Sequence, residues 1–334
     1  MKPSVSAVIL NWNGLAHLAP CLESVRNCGE PVELIVVDNG SSDGSLEYLR
    51  SQPDVTLIEN VTNTGYAPAN NQGIERAGGE FVLLLNNDTR VVPGFLRPLL
   101  DLMGTMHDLG ACQPKMLSYD DPPRLDAYGS YLTGTGFLYH RGYGKHDPGP
   151  EPPFEVFSAK GAALLIRAEV LRRVGAFDPD FFAYLEDSDL SWRIWLNGWR
   201  ILCVPASVVF HRGGATASKL PGEFVTFHSF KNRLCMLLKN LSWPAACRII
   251  PVHLVLTLGL IAMELTRGRA GAARAVGASL IWNARHLKQT LAKRRLVQGT
   301  IRKVGDRELL PRITRRVRPS YYYYLVTGLG RYRD

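Results

Sequence analysis

The chain is predicted to fold as an α/β protein: a Rossmann-like, mostly parallel central sheet flanked by helices, with a helical region at its C-terminal end. Three observations carry this expectation. Short apolar runs alternate with helix-patterned stretches through the first ninety or so residues, the rhythm of a doubly wound sheet. Phe81-Val82-Leu83-Leu84-Leu85 is an unbroken apolar run, as expected of a strand buried on both faces in the middle of such a sheet. Charge also divides the chain, with 18 Lys and Arg against 26 Asp and Glu over residues 1–230, and 21 against 4 over residues 231–334. Such a split pairs an acidic globular part with a basic region suited to an anionic surface.

The first strand, Val5–Leu10, ends in Asn11-Trp12-Asn13-Gly14, and a helix follows with Leu15, Leu18, Leu22 and Val25 on one face. Leu34–Val37 is a second strand, closing at Asp38-Asn39-Gly40-Ser41-Ser42-Asp43-Gly44, where Ser42 or Asp43 can cap a helix over Leu46–Leu49. Val55–Ile58 is a third, followed by Asn63-Thr64-Gly65-Tyr66 and a helix through Asn70, Asn71 and Ile74. The fourth strand, 81–85, stops at Asn86-Asn87-Asp88. Ligands of open α/β sheets bind at this carboxyl edge. Asp88 offers hard oxygens to a divalent cation that also holds phosphates, although an Asx turn closing the strand explains the tripeptide as well. Asp38 can accept from ribose hydroxyls or a base N–H, or from the backbone of its own turn.

Beyond this point a helix is expected over Pro93–Met103 and a strand over Gly110–Gln113. The Gly- and Pro-rich stretches Asp120–Pro123 and Gly142–Pro153 are expected as exposed loops, the second long enough to reach toward an acceptor. Ser158–Arg167 enters another buried strand, and the small residues Ala159 and Gly161–Ala163 admit either a close ligand or tight packing. A helix over Ala168–Val174 precedes Glu186-Asp187-Ser188-Asp189. Three carboxylates in four residues repel one another unless a cation or a helix N-terminus compensates. Asp187 would stand at the start of a helix through Leu190–Leu196, held as a general base must be, or serve as part of a solvated cap. Trp192, Trp195 and Trp199 share a face that is core or sugar platform. His211 ends the apolar strand Val208–Phe210 and can complete a Mn²⁺-like site with Asp88. The segment Gly213–Gly222 is expected to act as a lid.

No GxGxxG follows the first strand and no Walker A loop is present, which excludes a nicotinamide enzyme and a P-loop NTPase. The six cysteines form no CxxC pair and no zinc spacing, so reduced thiols and a cytosolic compartment are expected. No secretory signal is visible ahead of the first strand.

Taken in order, Asn11-Trp12-Asn13, Val37-Asp38-Asn39-Gly40-Ser41-Ser42-Asp43, Asn63-Thr64-Gly65-Tyr66 with Asn70-Asn71-Gly73, Asn86-Asn87-Asp88 and Glu186-Asp187-Ser188-Asp189-Leu190 resemble the family 2 glycosyltransferases of GT-A fold. They are most like the bacterial rhamnosyltransferase-like members that extend polyprenyl-linked glycans. The resemblance runs over roughly residues 4–240. It implies an inverting, metal-dependent transfer from a nucleotide-diphosphate sugar, dTDP-rhamnose or a UDP-sugar, to a polyprenyl-linked or polysaccharide acceptor of the cell envelope. Asn11, Asn13, Asp38, Asn70, Asn86, Asn87 and Asp88 would hold the nucleotide sugar, and Asp88 and His211 would hold Mg²⁺ or Mn²⁺. Asp187 would be the catalytic base, with Gly161, Glu186 and Trp192 touching sugar or acceptor. Asn86 stands where the family's metal motif has its first aspartate. Trp192-Arg193 departs from the QxxRW pattern of processive synthases, which implies addition of one or a few sugars. A non-catalytic sugar-binding scaffold of the same fold is the alternative, disfavoured by the presence of Asp38, Asp88, Asp187 and His211 together.

In the basic region, Phe230-Lys231-Asn232-Arg233 begins a helix carrying Leu234, Leu237, Leu238 and Leu241, which Pro244 is expected to break. Ile249–Met263 is an apolar run interrupted only by His253, shorter than the ~20 residues a spanning helix needs. A second amphipathic helix is expected over about Ala272–Leu291, leading to Lys293-Arg294-Arg295. Basic residues beside apolar helices indicate a peripheral anchor on an anionic membrane, at its cytoplasmic face. The alternative is a helical subdomain packed on the catalytic part or on a homodimer partner. Nucleic acid, which charge alone admits, is not the expected partner. Tyr321–Tyr324 is expected as an interfacial aromatic belt or a strand.

Overall fold

The computed structural model describes residues 4–213 and 220–327. Four parallel strands, β1 (Val5–Asn11), β2 (Val32–Asn39), β3 (Val55–Asn60) and β4 (Phe81–Asn86), stand in the order β3-β2-β1-β4. Helices α1 (Leu15–Arg26) and α2 (Ser45–Arg50) cover one face, and α3 (Tyr66–Arg76) covers the other. β4 is buried along its apolar length: Phe81, Leu83 and Leu85 pack on the α1 side, Val82 and Leu84 on the α3 side. A strand covered on both faces needs this unbroken apolar run.

Past β4 the sheet is mixed rather than parallel throughout. β11 (Ala163–Arg167) runs antiparallel between β4 and β6 (Leu109–Ser118), and β12 (Arg200–His211) lies parallel to β6 with β10 (Phe154–Glu155) at the edge. The chain enters β11 from the edge where β4 ends, since Asn86 N–H donates to the Ala162 carbonyl at 3.0 Å. That direction delivers Gly161 to the ligand edge. β5 (Thr89–Val91) pairs with the end of β12, and β7 (Leu125–Ala127) with the end of β6. Helix α4 (Leu96–Thr105) joins the α1 layer; α5 (Ala168–Val174) and α6 (Glu186–Leu196) join the α3 layer. A small second sheet combines β8 (Ser130–Thr133), β9 (Leu138–His140) and β13 (Thr314–Arg315).

The Gly142–Pro153 loop is tied down rather than free to reach outward. Lys115 meets Asp147 at 2.7 Å, and Glu151 accepts from Tyr128 at 2.5 Å and pairs with Arg141 at 3.0 Å. The expected lid falls largely on residues 214–219, outside the described residues; α7 (Gly222–Asn240) begins right after it and crosses residue 230 without interruption.

The C-terminal region continues with α8 (Trp243–Thr266), α9 (Ala270–Arg285), α10 (Leu287–Leu296), a π turn over Val297–Ile301, α11 (Asp306–Ile313) and α12 (Ser320–Thr327). Pro244 starts α8 instead of merely ending α7: it sits in the first turn, where its missing N–H costs nothing, behind the Ser242 cap. α8 therefore has 24 residues, long and apolar enough by composition to cross a membrane. The expected 272–291 helix divides at His286, and the tyrosine run is helical. The region packs on the catalytic part: Asn197 donates to the Ile301 carbonyl at 2.8 Å, Lys303 N–H to Leu196 at 2.7 Å, and Tyr321 to Leu138 at 2.6 Å. α8 buries Ala245, Ala246 and Ile249 in its first turns, but from His253 onward it is polar inward and apolar outward, with His253, Thr257 and Glu264 buried while Val255, Leu258 and Leu265 are 68%, 56% and 55% exposed.

Candidate active site

A cavity of roughly 650 Å³ opens at the carboxyl edge of β1, β2 and β4, and both Asp88 and Asp187 line it. Their convergence follows from strand register. Asp88 directly precedes β5, and β5 pairs with β12 so that Thr89 lies opposite His211. The Arg212 N–H closes this pairing on the Asp88 carbonyl at 3.0 Å. The imidazole Nε2 thus stands 3.3 Å from Asp88 Oδ1 and 3.5 Å from Asn86 Nδ2.

Asp126, on β7, completes this corner and was not anticipated. Its Oδ2 lies 2.7 Å from His211 Nδ1 and accepts from Lys160 Nζ at 2.7 Å. Burial would lower the His211 pKa, but the carboxylates of Asp126 and Asp88 outweigh it and hold the ring above its usual value. Burial likewise opposes ionisation of Asp126 and Asp88, but the imidazole, joined at Asp126 by Lys160, outweighs it, so both stay below the usual carboxylate range. With Asp126 on Nδ1, Nε2 is the nitrogen turned to the cavity, the arrangement by which a second carboxylate orients a metal-binding histidine. Asp88 Oδ1 is buried and makes no hydrogen bond, with only the imidazole Nε2 facing it at 3.3 Å, so a cation there would be answered by a lone pair not already committed. Among the described residues no three His, Cys, Asp or Glu side chains converge as a metal cage. The corner therefore fits a cation that takes one or two protein ligands and completes its shell with water and phosphate oxygens, as Mg²⁺ does.

Opposite stands the N-terminus of α6. Asp187 Oδ2 accepts from Gly161 N–H at 3.1 Å, and Oδ1 from Ser188 N–H at 2.6 Å. Burial nevertheless raises its pKa. Glu186 is raised further, by burial and by the adjacent Asp187 charge, and its Oε2 has no partner. Two neighbouring carboxyls whose proton affinities diverge can serve as one neutral acid and one base. Tyr66 Oη donates to the Gly161 carbonyl at 3.0 Å and lies 3.3 Å from Asn86 Oδ1, bridging the two sides. A Cβ on Gly161 would come within 2.9 Å of that hydroxyl.

The turn before α6 is strained. Tyr184 and Leu185 have φ of 72° and 66°, a left-handed pair costing about 1–3 kcal/mol per residue. Asn232 on α7 holds it by donating to the carbonyls of Ala183 and Tyr184 at 2.8 and 2.7 Å. The C-terminal region thus helps to shape the site.

Several expected residues lie outside the cavity. Asp38 is 1% exposed with both oxygens taken, Oδ2 by Asn11 Nδ2 at 2.9 Å and Oδ1 by Ser41 N–H at 2.9 Å. It is a turn carboxylate in this structure. Asn11 is buried and ties Asp38 to Asn87, whose Nδ2 donates to it at 2.6 Å. Asn13 accepts from Ser42 N–H at 2.7 Å, clasping the two strand-end turns together. Asn70 bonds the Tyr66 carbonyl of its own helix at 2.9 Å. Trp192 is fully buried, edge-on to Phe157, so it is core and not a sugar contact. Trp12, Asn39 and Asn63 line this part of the cavity instead. Asn86, Asn87, Gly161, Glu186 and His211 line it too.

Residues 6–171 match the family model described as Glycosyl transferase family 2. Over 270 residues the chain is 26% identical to N-acetylglucosaminyl-diphospho-decaprenol L-rhamnosyltransferase of Mycobacterium tuberculosis, covering 73% of this chain and 87% of that one. Among solved structures it resembles GalNAc-T7 with UDP, GalNAc and Mn²⁺ (TM-score 0.56, 18% identity, 71% of this chain), of which it spans about half, 48%. It also resembles the mannosyltransferase PcManGT from Pyrobaculum calidifontis in complex with GDP-Man and Mn²⁺ (TM-score 0.51, 17% identity, 100% of this chain and 89% of that one). At these identities the structural likeness establishes the fold, which is GT-A-like.

Proposed function

Because the chain carries a family 2 glycosyltransferase domain, we propose that it moves a sugar from a nucleotide diphosphate to a hydroxyl of a lipid-linked or glycan acceptor, with inversion. The observation that carries this is the shared cavity of Asp88 and Asp187: one carboxylate has an oxygen in want of a cation, the other is fixed by two backbone N–H groups. Asp187 accepts the acceptor's proton as its oxygen attacks the anomeric carbon. Burial and the Asp187 charge raise the proton affinity of Glu186, which favours its neutral form beside the base. Asp88 and His211 would hold Mg²⁺ or Mn²⁺, as the relatives crystallised with Mn²⁺ suggest, and such an ion neutralises the leaving diphosphate. Asp38, Asn11 and Asn13 position the two turns beneath the nucleotide rather than touching it. A single displacement leaves no covalent glycosyl–enzyme.

The name of the mycobacterial relative points to rhamnose as donor sugar and a prenyl diphosphate-linked acceptor. The outward apolar face of α8 and the basic C-terminal region support attachment to the cytoplasmic face of an anionic membrane. Purified protein with Mn²⁺, a panel of dTDP- and UDP-sugars and a lipid-linked acceptor should yield glycosylated product. Asp187→Asn should yield none while still binding the nucleotide sugar. Loss of that binding would make Asp187 a structural residue and overturn its assignment as base.

A further inference from the structure

The cavity has two ends of unlike electrostatics. At one, the cationic side chains are matched: Lys160 and His211 share Asp126, and Asp88 faces the imidazole. At the other stands Arg233, which projects from α7 into the same cavity. No carboxylate among the described residues pairs with it, its Nε is buried without an acceptor, and its neighbours are the rings of Phe137 and Phe230 at 4.9 and 5.3 Å. Burial lowers its pKa to about 10, so it stays charged at neutral pH. Ring faces offset only part of the cost of desolvating a guanidinium. A planar fork left over in this way matches phosphate oxygens.

The same Phe137 ring packs on His253 of α8, 4.7 Å away, and His253 anchors α8 through the Thr135 carbonyl at 3.0 Å. Arg233 is thus one aromatic ring from the inner side of the helix whose outer side presents Val252, Val255 and Leu258. An anion site about one helix diameter, roughly 10 Å, beneath an apolar surface suits a ligand with a phosphate head and a long apolar tail.

We propose that Arg233 receives the diphosphate of an isoprenoid diphosphate-linked acceptor, placing the acceptor's sugar toward Asp187 while the tail leaves along α8. This rests on the transferase reading of the cavity and assigns its acceptor end. The diphosphate of the sugar donor is the competing source of the same chemistry, and the test separates the two.

Calorimetry on the full chain in detergent would use farnesyl diphosphate, farnesol, and UDP and dTDP with Mn²⁺. Arg233→Gln should weaken farnesyl diphosphate at least about ten-fold, the size of a lost charged hydrogen bond, and leave farnesol, UDP and dTDP within two-fold. Arg233→Lys should fall between, and melting curves of both variants establish that they are folded. In turnover, Arg233→Gln should raise KM for the lipid acceptor and leave KM for the donor unchanged. Farnesyl diphosphate affinity indifferent to residue 233, or UDP and dTDP weakened equally, overturns the assignment. A wild-type chain that binds no nucleotide sugar overturns the transferase reading itself, a separate result.

Discussion

Two sets of carboxylates grow from the same stretch of chain and meet opposite fates. Asp187 and Glu186 face the cavity, raised in pKa, with Glu186 Oε2 unpartnered. Asp189, two residues on, is fully buried and saturated: Lys239 Nζ lies 3.0 Å away, Arg193 Nε 3.1 Å, and Asn240 Nδ2 donates at 2.9 Å. Lys239 also grips Asp178 at 2.5 Å, and Lys293 joins Asp178 and Asp180. The matched set holds α6 to α7 and α10. The mismatched set is left with reactivity. A buried carboxylate in contact with buried cations stabilises a fold, whereas one buried without a contacting cation keeps a high proton affinity for use.

Substitutions within the pair sharpen this contrast. Asp187→Asn should lower turnover by about 10²–10⁴-fold, the worth of a positioned base, with an unchanged melting temperature. In the wild type the acid limb of the rate profile should lie above the ordinary carboxylate value of 3.8, since burial raises Asp187 and the base works only when deprotonated; a limb at or below 3.8 would count against it. Asp189→Ala should do the reverse. It leaves Lys239 with Asp178 alone and takes the carboxylate from Arg193 and Asn240, and should cost about 3–5 kcal/mol in urea denaturation, with the activity per folded molecule largely kept. If Asp189→Ala is instead stable and inactive, the division of labour drawn here is wrong.

Asp126→Asn tests the other corner. Losing the carboxylate that orients His211 should weaken Mn²⁺-dependent UDP binding about 10–100-fold, with metal-free UDP binding unaffected in the same titration. The smallest effect concerns pH. Burial would raise Asp178, but Lys239 and Lys293 outweigh it and hold its pKa below 3.8. A carboxylate depressed on folding stabilises above its unfolded pKa and loses that contribution as pH falls through the folded value. Its share of stability should therefore hold from pH 7 to about 4 and decline below; Asp178→Asn should be less stable than wild type at pH 6, and the gap should narrow by pH 3.

Local patterning alone was enough to place the strand ends, because a five-residue apolar run closed by Asn-Asn-Asp leaves few other structures open. It also put Asp187 at the start of a helix and paired Asp88 with His211. It singled out Asp187 as the base but could not show that Asp189 would be saturated in the core. Two residues apart on a helix they point about 200° away from each other, and which direction is solvent or core depends on where α7 docks. Asp126 and Arg233 were invisible for a related reason. Asp126 sits on a three-residue strand with no periodicity of its own, brought to His211 only by pairing across β6, and Arg233 resembles any arginine on an amphipathic helix until Phe137 and the cavity close around it. The hydrogen bonds that withdraw Asp38 into its turn, and the inverted polarity of α8, were likewise decided by packing. Short-range order is written in side-chain pattern and backbone preference, whereas the partner of a charge is set by contacts between segments far apart in the chain.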